Sequence, residues 1–232
     1  MSKIFLFFIL PILFGIITTR NAGKKNNKKL VSESTLLTEP ILKSITRRIA
    51  NSLGLDEIPV RIHEVKSFNG LATSEGLIFL TRGALDDFYE GRVTAEELAS
   101  IIAHELGHVA LGHSKRRMVD FSMQNAIRII LSLAISRLIP AIGAYIANFL
   151  TSLIAAKLSR NDEYEADAYA AALLAKSGIG IDSQINLLKK LDDLSRDNGS
   201  LPQWLMSHPK TSDRIAAIEK LREKWNAKPK KV

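Results

Sequence analysis

Apolar residues keep a helical period over most of the chain and a two-residue period in only one short stretch. Leu36, Leu37, Ile41, Ile45 and Ile49 recur at helical spacing, and Gly54 marks the end of that helix. Ile58-Pro-Val-Arg-Ile-His-Glu-Val65 then alternates like a strand. Phe68-Asn69-Gly70 reads as a turn and Leu77-Ile-Phe-Leu80 as a second strand. From there the pattern is helical: 94–113, an apolar tract across 121–158, then 160–177, 183–197 and 212–226. No internal repeat is visible. The predicted fold is α+β and mainly helical, a folded domain over 34–226 with a short antiparallel sheet ahead of the helix at 94–113.

The termini do not belong to that domain. Ile4–Thr19 is a run of 16 uncharged, mostly apolar residues between Lys3 and Arg20. As a helix it would rise about 24 Å against a hydrocarbon core of roughly 30 Å, and snorkelling Lys3 and Arg20 make up some of the difference. We expect residues 1–20 to be a membrane anchor. A cleaved signal peptide is the rival, but no A-x-A site follows. Residues 21–33 read as a basic linker, suited to anionic headgroups or equally to plain solvation, and 227–232 as a basic tail.

Composition narrows the classes further. In 232 residues, 46% hydrophobic and 24% charged, there is enough apolar material for a core without staples, and disorder is excluded as the default. The absence of cysteine removes disulfides, thiol nucleophiles and Cys-ligated metal sites. A net charge of +8 permits an anionic membrane surface or nucleic acid. No aromatic-interleaved basic stripe or recognition helix is present, so no nucleic-acid partner is expected.

The chemistry gathers in His104-Glu105-Leu-Gly107-His108. Thr94-Ala-Glu-Glu97 is a capping box, and Leu98, Ile101, Ile102, Leu106 and Val109 supply an apolar face, so the motif is predicted to lie on a helix. Histidines at i and i+4 project from one face and suit a single zinc ion. Glu105, about 100° round the helix, is placed to take a proton from a water held by the metal. Gly107 breaks a helical pattern at a cost of roughly 1 kcal/mol and marks a close approach. His113, five residues past His108, falls off the ligand face and reads as a polar helix end.

A catalytic zinc needs a third protein ligand. Glu163 and Asp167 stand at i and i+4 in Ser159-Arg160-Asn-Asp-Glu163-Tyr-Glu165-Ala166-Asp167, which suits one carboxylate ligand and one carboxylate orienting a histidine. Acidic residues near a helix start also suit its dipole. Glu163 is the expected ligand and Glu165 a solvated neighbour. If His108 and Glu163 share one metal, the chain between them crosses a bilayer twice or not at all. Leu138–Ala156 is uncharged over 19 residues, but a second span would carry Arg128 mid-segment at a cost of about 2.5–3.5 kcal/mol. Residues 121–158 are therefore expected to form a helical hairpin with Pro140 and Gly143 near its bend, packed over the zinc cleft or dipping into the membrane interface.

Taken together, His-Glu-Leu-Gly-His and, some 50 residues on, Ser159-Arg160-x-x-Glu163-x-x-Ala166-Asp167 resemble the membrane-linked gluzincins. That group spans the CAAX prenyl proteases, the HtpX-like proteases and the BepA-like proteases. Phe68-Asn69, Gly76–Leu85 and Ser207-His208-Pro209-x-Thr211-x-x-Arg214-Ile215 resemble its flanking motifs, and the likeness covers about 36–222. The resemblance implies a zinc metalloendopeptidase with one Zn2+ per chain, ligands His104, His108 and Glu163, Glu105 as general base and Asp167 behind a ligand. It also implies that His208 and Arg214 reach the site. Arg214 would steady the oxyanion, and His208 would do the same or cap the metal at rest.

The expected function is hydrolysis of peptide bonds in membrane-associated or misfolded proteins, with the extended substrate adding as a strand to an edge at Leu77–Leu80. The alternative is a chaperone-like or scaffolding protein that holds clients around a structural zinc. Protein substrates and a lipid surface are the expected partners, at a membrane. Five Lys/Arg after the anchor and one before it place the domain in the cytoplasm, whereas likeness to the BepA-like enzymes places it outside, so sidedness stays open.

Overall fold

The computed structural model describes residue 21 and residues 23–73, 75–140, 142–197, 203–208 and 211–226. The expected anchor at 1–20 and the basic tail at 227–232 lie outside the described residues. Residues 23–32, read from sequence as part of a linker, are helical. The chain divides into two compact units, Met1–Lys29 with Gly112–Asp162, and Leu30–Leu111 with Glu163–Val232.

The larger unit begins with β1 (Ser34–Leu36), which the apolar spacing had assigned to the first helix. Helix α1 (Pro40–Leu53) starts later because Glu39 caps Leu42 N–H through its side chain and Pro40 fills the first turn. Residues before a proline avoid the helical region, so the boundary follows from Pro40. Gly54, at φ 72°, closes the helix in the left-handed conformation. Three more strands follow: β2 (Val60–His63), β3 (Gly70–Ala72) and β4 (Ile78–Thr81).

The sheet order is β1-β2-β4-β3. β1 and β3 lie antiparallel to their neighbours, but β2 and β4 pair in parallel, so the sheet is mixed rather than wholly antiparallel. The reason is the segment between β2 and β3, which carries the chain past β4's place before the turn after Ala72 sends it back between them. β4 is therefore internal, fully buried along its length, and is not an edge as expected. The open edges are β1 and β3.

Helices α2 (Arg82–Tyr89) and α3 (Ala95–Ala110) come next, then, after the smaller unit, the end of α5 (Gly143–Lys176), α6 (Asp182–Asp197), α7 (Gln203–Ser207) and α8 (Thr211–Asn226). The Thr94–Glu97 capping box is formed in both directions. α3 is buried almost all round. Leu98, Ile101 and Ile102 share one core with Val60, Ile62 and Leu80 of the sheet, Leu173 and Leu174 of α5, and Leu188 and Leu191 of α6. Burying this central helix is what lets polar groups on it be held away from water.

In the smaller unit, α4 (His113–Leu138) and the first part of α5 form the expected helical hairpin around residues 139–142. Gly143 packs on the backbone of Ser136, and Arg117 Nε donates to Asp162 at 2.9 Å, with Arg116 bonded to the same carboxylate. Among the described residues no helix is long and apolar enough to cross a membrane.

Gly107 fulfils its reading as a point of close approach. A Cβ there would lie 2.9 Å from the carbonyl oxygen and 3.0 Å from the Cα of Ala166 on α5. Because the obstacle is backbone, α3 and α5 must separate to admit a methyl group. Gly107→Ala should therefore lower unfolding stability by about 1–3 kcal/mol, despite its better helix propensity. Urea denaturation checks this; unchanged or raised stability would show the helices have room to spare.

Candidate metal centre

Four helices and the residue after α7 deliver one cluster. α3 supplies His104, Glu105 and His108; α5 supplies Glu163 and Asp167; α6 supplies Gln184; α8 supplies Arg214; and His208 follows α7. All eight are buried. His104, His108, Glu163 and His208 each offer a donor atom, all within 4.8 Å of one another.

The i and i+4 carboxylates of α5 straddle a single imidazole. His104 Nδ1–H donates to Asp167 Oδ1 at 2.9 Å, which turns Nε2 toward Glu163 Oε2, 3.3 Å away. His108 Nε2 lies 3.1 Å from His104 Nε2 and 3.5 Å from Glu163 Oε1. His208 Nδ1–H donates to Glu163 Oε2 at 2.7 Å, and its Nε2 stands 3.4 Å from Glu105 Oε1.

Asp167 is held from three sides. Arg214 donates to it through Nε at 2.6 Å and Nη2 at 2.7 Å, and Gln184 Nε2 donates at 3.0 Å. Arg214 Nη1 donates to the His208 backbone oxygen at 3.0 Å. The fork expected to reach an oxyanion is thus turned toward Asp167 and the turn carrying His208. Trp204 lies beneath: its ring stacks on His208 at 5.1 Å between centroids, and the Arg214 guanidinium sits 4.9 Å from its centre.

Burial and pairing compete for every charge here. Burial disfavours a charged His104, but hydrogen bonds to Asp167 and Glu163 outweigh it and raise its pKa to about 9. Burial likewise opposes ionisation of Glu163 and Asp167. The hydrogen bonds of His104 and His208 nevertheless hold Glu163 well below the carboxylate range, and Arg214 does the same for Asp167. Burial disfavours the Arg214 cation too, and Asp167 keeps it charged.

The donor set fits a divalent zinc. Two donors each about 2.0–2.1 Å from a tetrahedral zinc stand roughly 3.3–3.4 Å apart. His104 Nε2 and His108 Nε2 stand 3.1 Å apart, with Glu163 Oε2 3.3 Å from the first and Glu163 Oε1 3.5 Å from the second. Three buried carboxylates, Glu105, Glu163 and Asp167, gather here against one permanent cation, Arg214, and a dication bound in place of the His104 proton suits that excess of negative charge. Glu105 Oε1 is fully buried with no hydrogen-bond partner, an orphaned acceptor turned into the same cluster.

Sequence reasoning missed Gln184 and Trp204. Gln184 carried a signal, since a polar residue interrupts the apolar face made with Leu188 and Leu191 one and two turns on. Trp204 carried none, because its role depends on α7 folding under His208. His113 belongs to the smaller unit.

A buried His/His/Glu cluster with a free glutamate beside it, on a helix backed by a small mixed sheet, defines a zincin-like metallopeptidase. The comparisons agree, for the model of peptidase family M48 matches residues 36–222, and the chain belongs to that family. It is a zinc metallopeptidase. Metalloprotease LoiP of Escherichia coli (strain K12) is 27% identical over 180 residues, 76% of this chain and 68% of LoiP. Protease HtpX of Alkalilimnicola ehrlichii is 26% identical, covering 91% of this chain and 78% of that protein. A putative beta-barrel assembly-enhancing protease of Vibrio cholerae is also 26% identical, over 82% of this chain but only 40% of its own length. Family membership does not favour the client-holding alternative.

If Glu163 is the third ligand, Glu163→Ala should weaken zinc binding by more than the roughly 10–100-fold that outer partners cost. Glu165, two residues on in the same helix and exposed, should tolerate alanine with zinc content unchanged. Metal analysis of both purified variants decides it, and zinc loss in the second alone would reverse the assignment.

Proposed function

We propose that the chain is a metalloendopeptidase that cleaves misfolded or membrane-associated polypeptides at one zinc held by His104, His108 and Glu163, with Glu105 as general base. Glu105 Oε1 is the observation that carries this reading, because it is buried and makes no hydrogen bond, with His208 Nε2 3.4 Å away, and such a carboxylate oxygen can accept a proton. Bound zinc supplies Lewis acidity, which acidifies water and polarises a peptide carbonyl.

The chain's own residues do the rest. Glu105 takes the proton of the attacking water at Oε1 and returns it to the departing amine. Asp167 holds His104 with Nδ1 protonated, leaving Nε2 as the donor to the metal. Arg214 and Gln184 fix Asp167, so we read Arg214 as a positioning residue rather than an oxyanion donor. An extended substrate would add to the open side of β3. Asn69 O accepts from Thr81 N and Thr73 N donates to Leu77 O, so alternation turns the backbone of Ala72 outward, while the Gly70 N–H on the same side is held by Asn69 Oδ1. The anchor at residues 1–20 and attachment to a membrane remain part of this proposal, carried by the apolar run Ile4–Thr19.

Glu105→Gln should keep zinc near one per chain and lower casein cleavage by at least about 100-fold, since only the base is lost. Retained cleavage would sink the mechanism.

His208 stands among the metal-competent donors, which supports a resting cap over the metal. His208→Ala should then raise basal cleavage at unchanged thermal stability. A fall in kcat of roughly 10²-fold with KM nearly constant would instead make it the oxyanion donor. Unaltered kinetics would remove both roles.

A further inference from the structure

The hairpin of α4 and early α5 exposes apolar side chains as no other part of the described residues does. Of 23 large apolar side chains exposed among the described residues, 13 lie between Met123 and Leu158. Leu138 is 82% exposed, Tyr145 75% and Leu133 68%. The seam between the two helices is made by small residues instead. Gly143 meets the Ser136 backbone, and Ala147 and Thr151 are buried one and two turns on. Leucine, isoleucine and phenylalanine are therefore displaced outward, giving an apolar surface of the kind that marks an interaction site.

Charge on the same segment says what covers it. From Gly112 to Asp162 there are seven Lys/Arg and two Asp, and no charge at all between Leu138 and Ala156. Arg128, Arg137 and Lys157 are exposed on the helices that carry the apolar residues. A second copy docked about a twofold axis would bring these like charges together. An anionic bilayer offers both halves of what the surface needs, hydrocarbon for the bend and phosphates for the bases. No described helix is long and apolar enough to cross, which leaves docking at the interface.

We propose that the α4–α5 hairpin is a membrane-docking element that seats its apolar bend about 5–10 Å into an anionic lipid surface, with Arg128, Arg137 and Lys157 on the headgroups. This does not depend on the peptidase reading, and its test reads no proteolysis.

The Cys-free sequence allows a single environment-sensitive label on the full chain. Nitrobenzoxadiazole on Tyr145→Cys or Phe149→Cys should brighten and shift to the blue on phosphatidylcholine vesicles containing phosphatidylglycerol. The same label on Asp56→Cys, exposed in the larger unit, should not respond. A local probe separates docking of the hairpin from any tethering by the N-terminal segment. Arg128→Glu with Lys157→Glu should raise the half-maximal lipid concentration at position 145 by about tenfold or more. The proposal is overturned by silent probes at both 145 and 149, or by equal responses on neutral vesicles. It is equally overturned by a blue shift that follows protein concentration without lipid, which would assign the surface to a second copy.

Discussion

Asp167 is the group on which the rest of the site depends. Its carboxylate, borne by α5, accepts hydrogen bonds from His104 on α3, Gln184 on α6 and Arg214 on α8. Arg214 is itself 1% exposed, so without Asp167 a buried guanidinium would lose its bidentate partner and keep only Glu163, 3.8 Å away. One acid thus ties three helices to a fourth. The same bond sets which nitrogen of His104 faces the cluster, so packing and chemistry are decided by a single contact.

That contact requires α3 and α5 to run unusually close, which makes Gly107 its geometric partner. Glu163 and Asp167 reach opposite nitrogens of one imidazole only if the helix axes approach nearer than a β-carbon at position 107 permits. The glycine lowers helix propensity in the middle of the motif, and the burial of α3 over most of its surface offsets it. Local preference yields here to a site, as it often does where function is held.

The motif residues were legible because their spacing is helical and their partners are one turn apart. His104, Glu105, His108, Glu163 and Asp167 converge as read, and the capping box and hairpin formed where the pattern put them. Strand pairing was not legible. Three- and four-residue strands carry too little alternation to reveal that β4 inserts between β2 and β3, so the edge was assigned to the wrong strand. β1 was lost to its neighbour's helical period, although Pro40 marked the boundary. The direction of Arg214 could not be read either, since it depends on Asp167 and His208 being brought together by segments far apart in sequence.

The charge balance of the cluster explains the division of labour among its three acids. Asp167 is neutralised by Arg214 within the protein, and Glu163 accepts from His208 and faces both zincin histidines. Of the three, Glu105 keeps a buried oxygen that makes no hydrogen bond, 3.4 Å from His208 Nε2. A carboxylate in that state is costly unless something mobile satisfies it, and water is what a hydrolase must admit. Sequence adjacency to His104 produces this, because a residue about 100° round the helix borders the ligand face without joining it. Two of the acids are tied down by hydrogen bonds, and the third is left with only His208 Nε2 nearby, 3.4 Å from its buried oxygen.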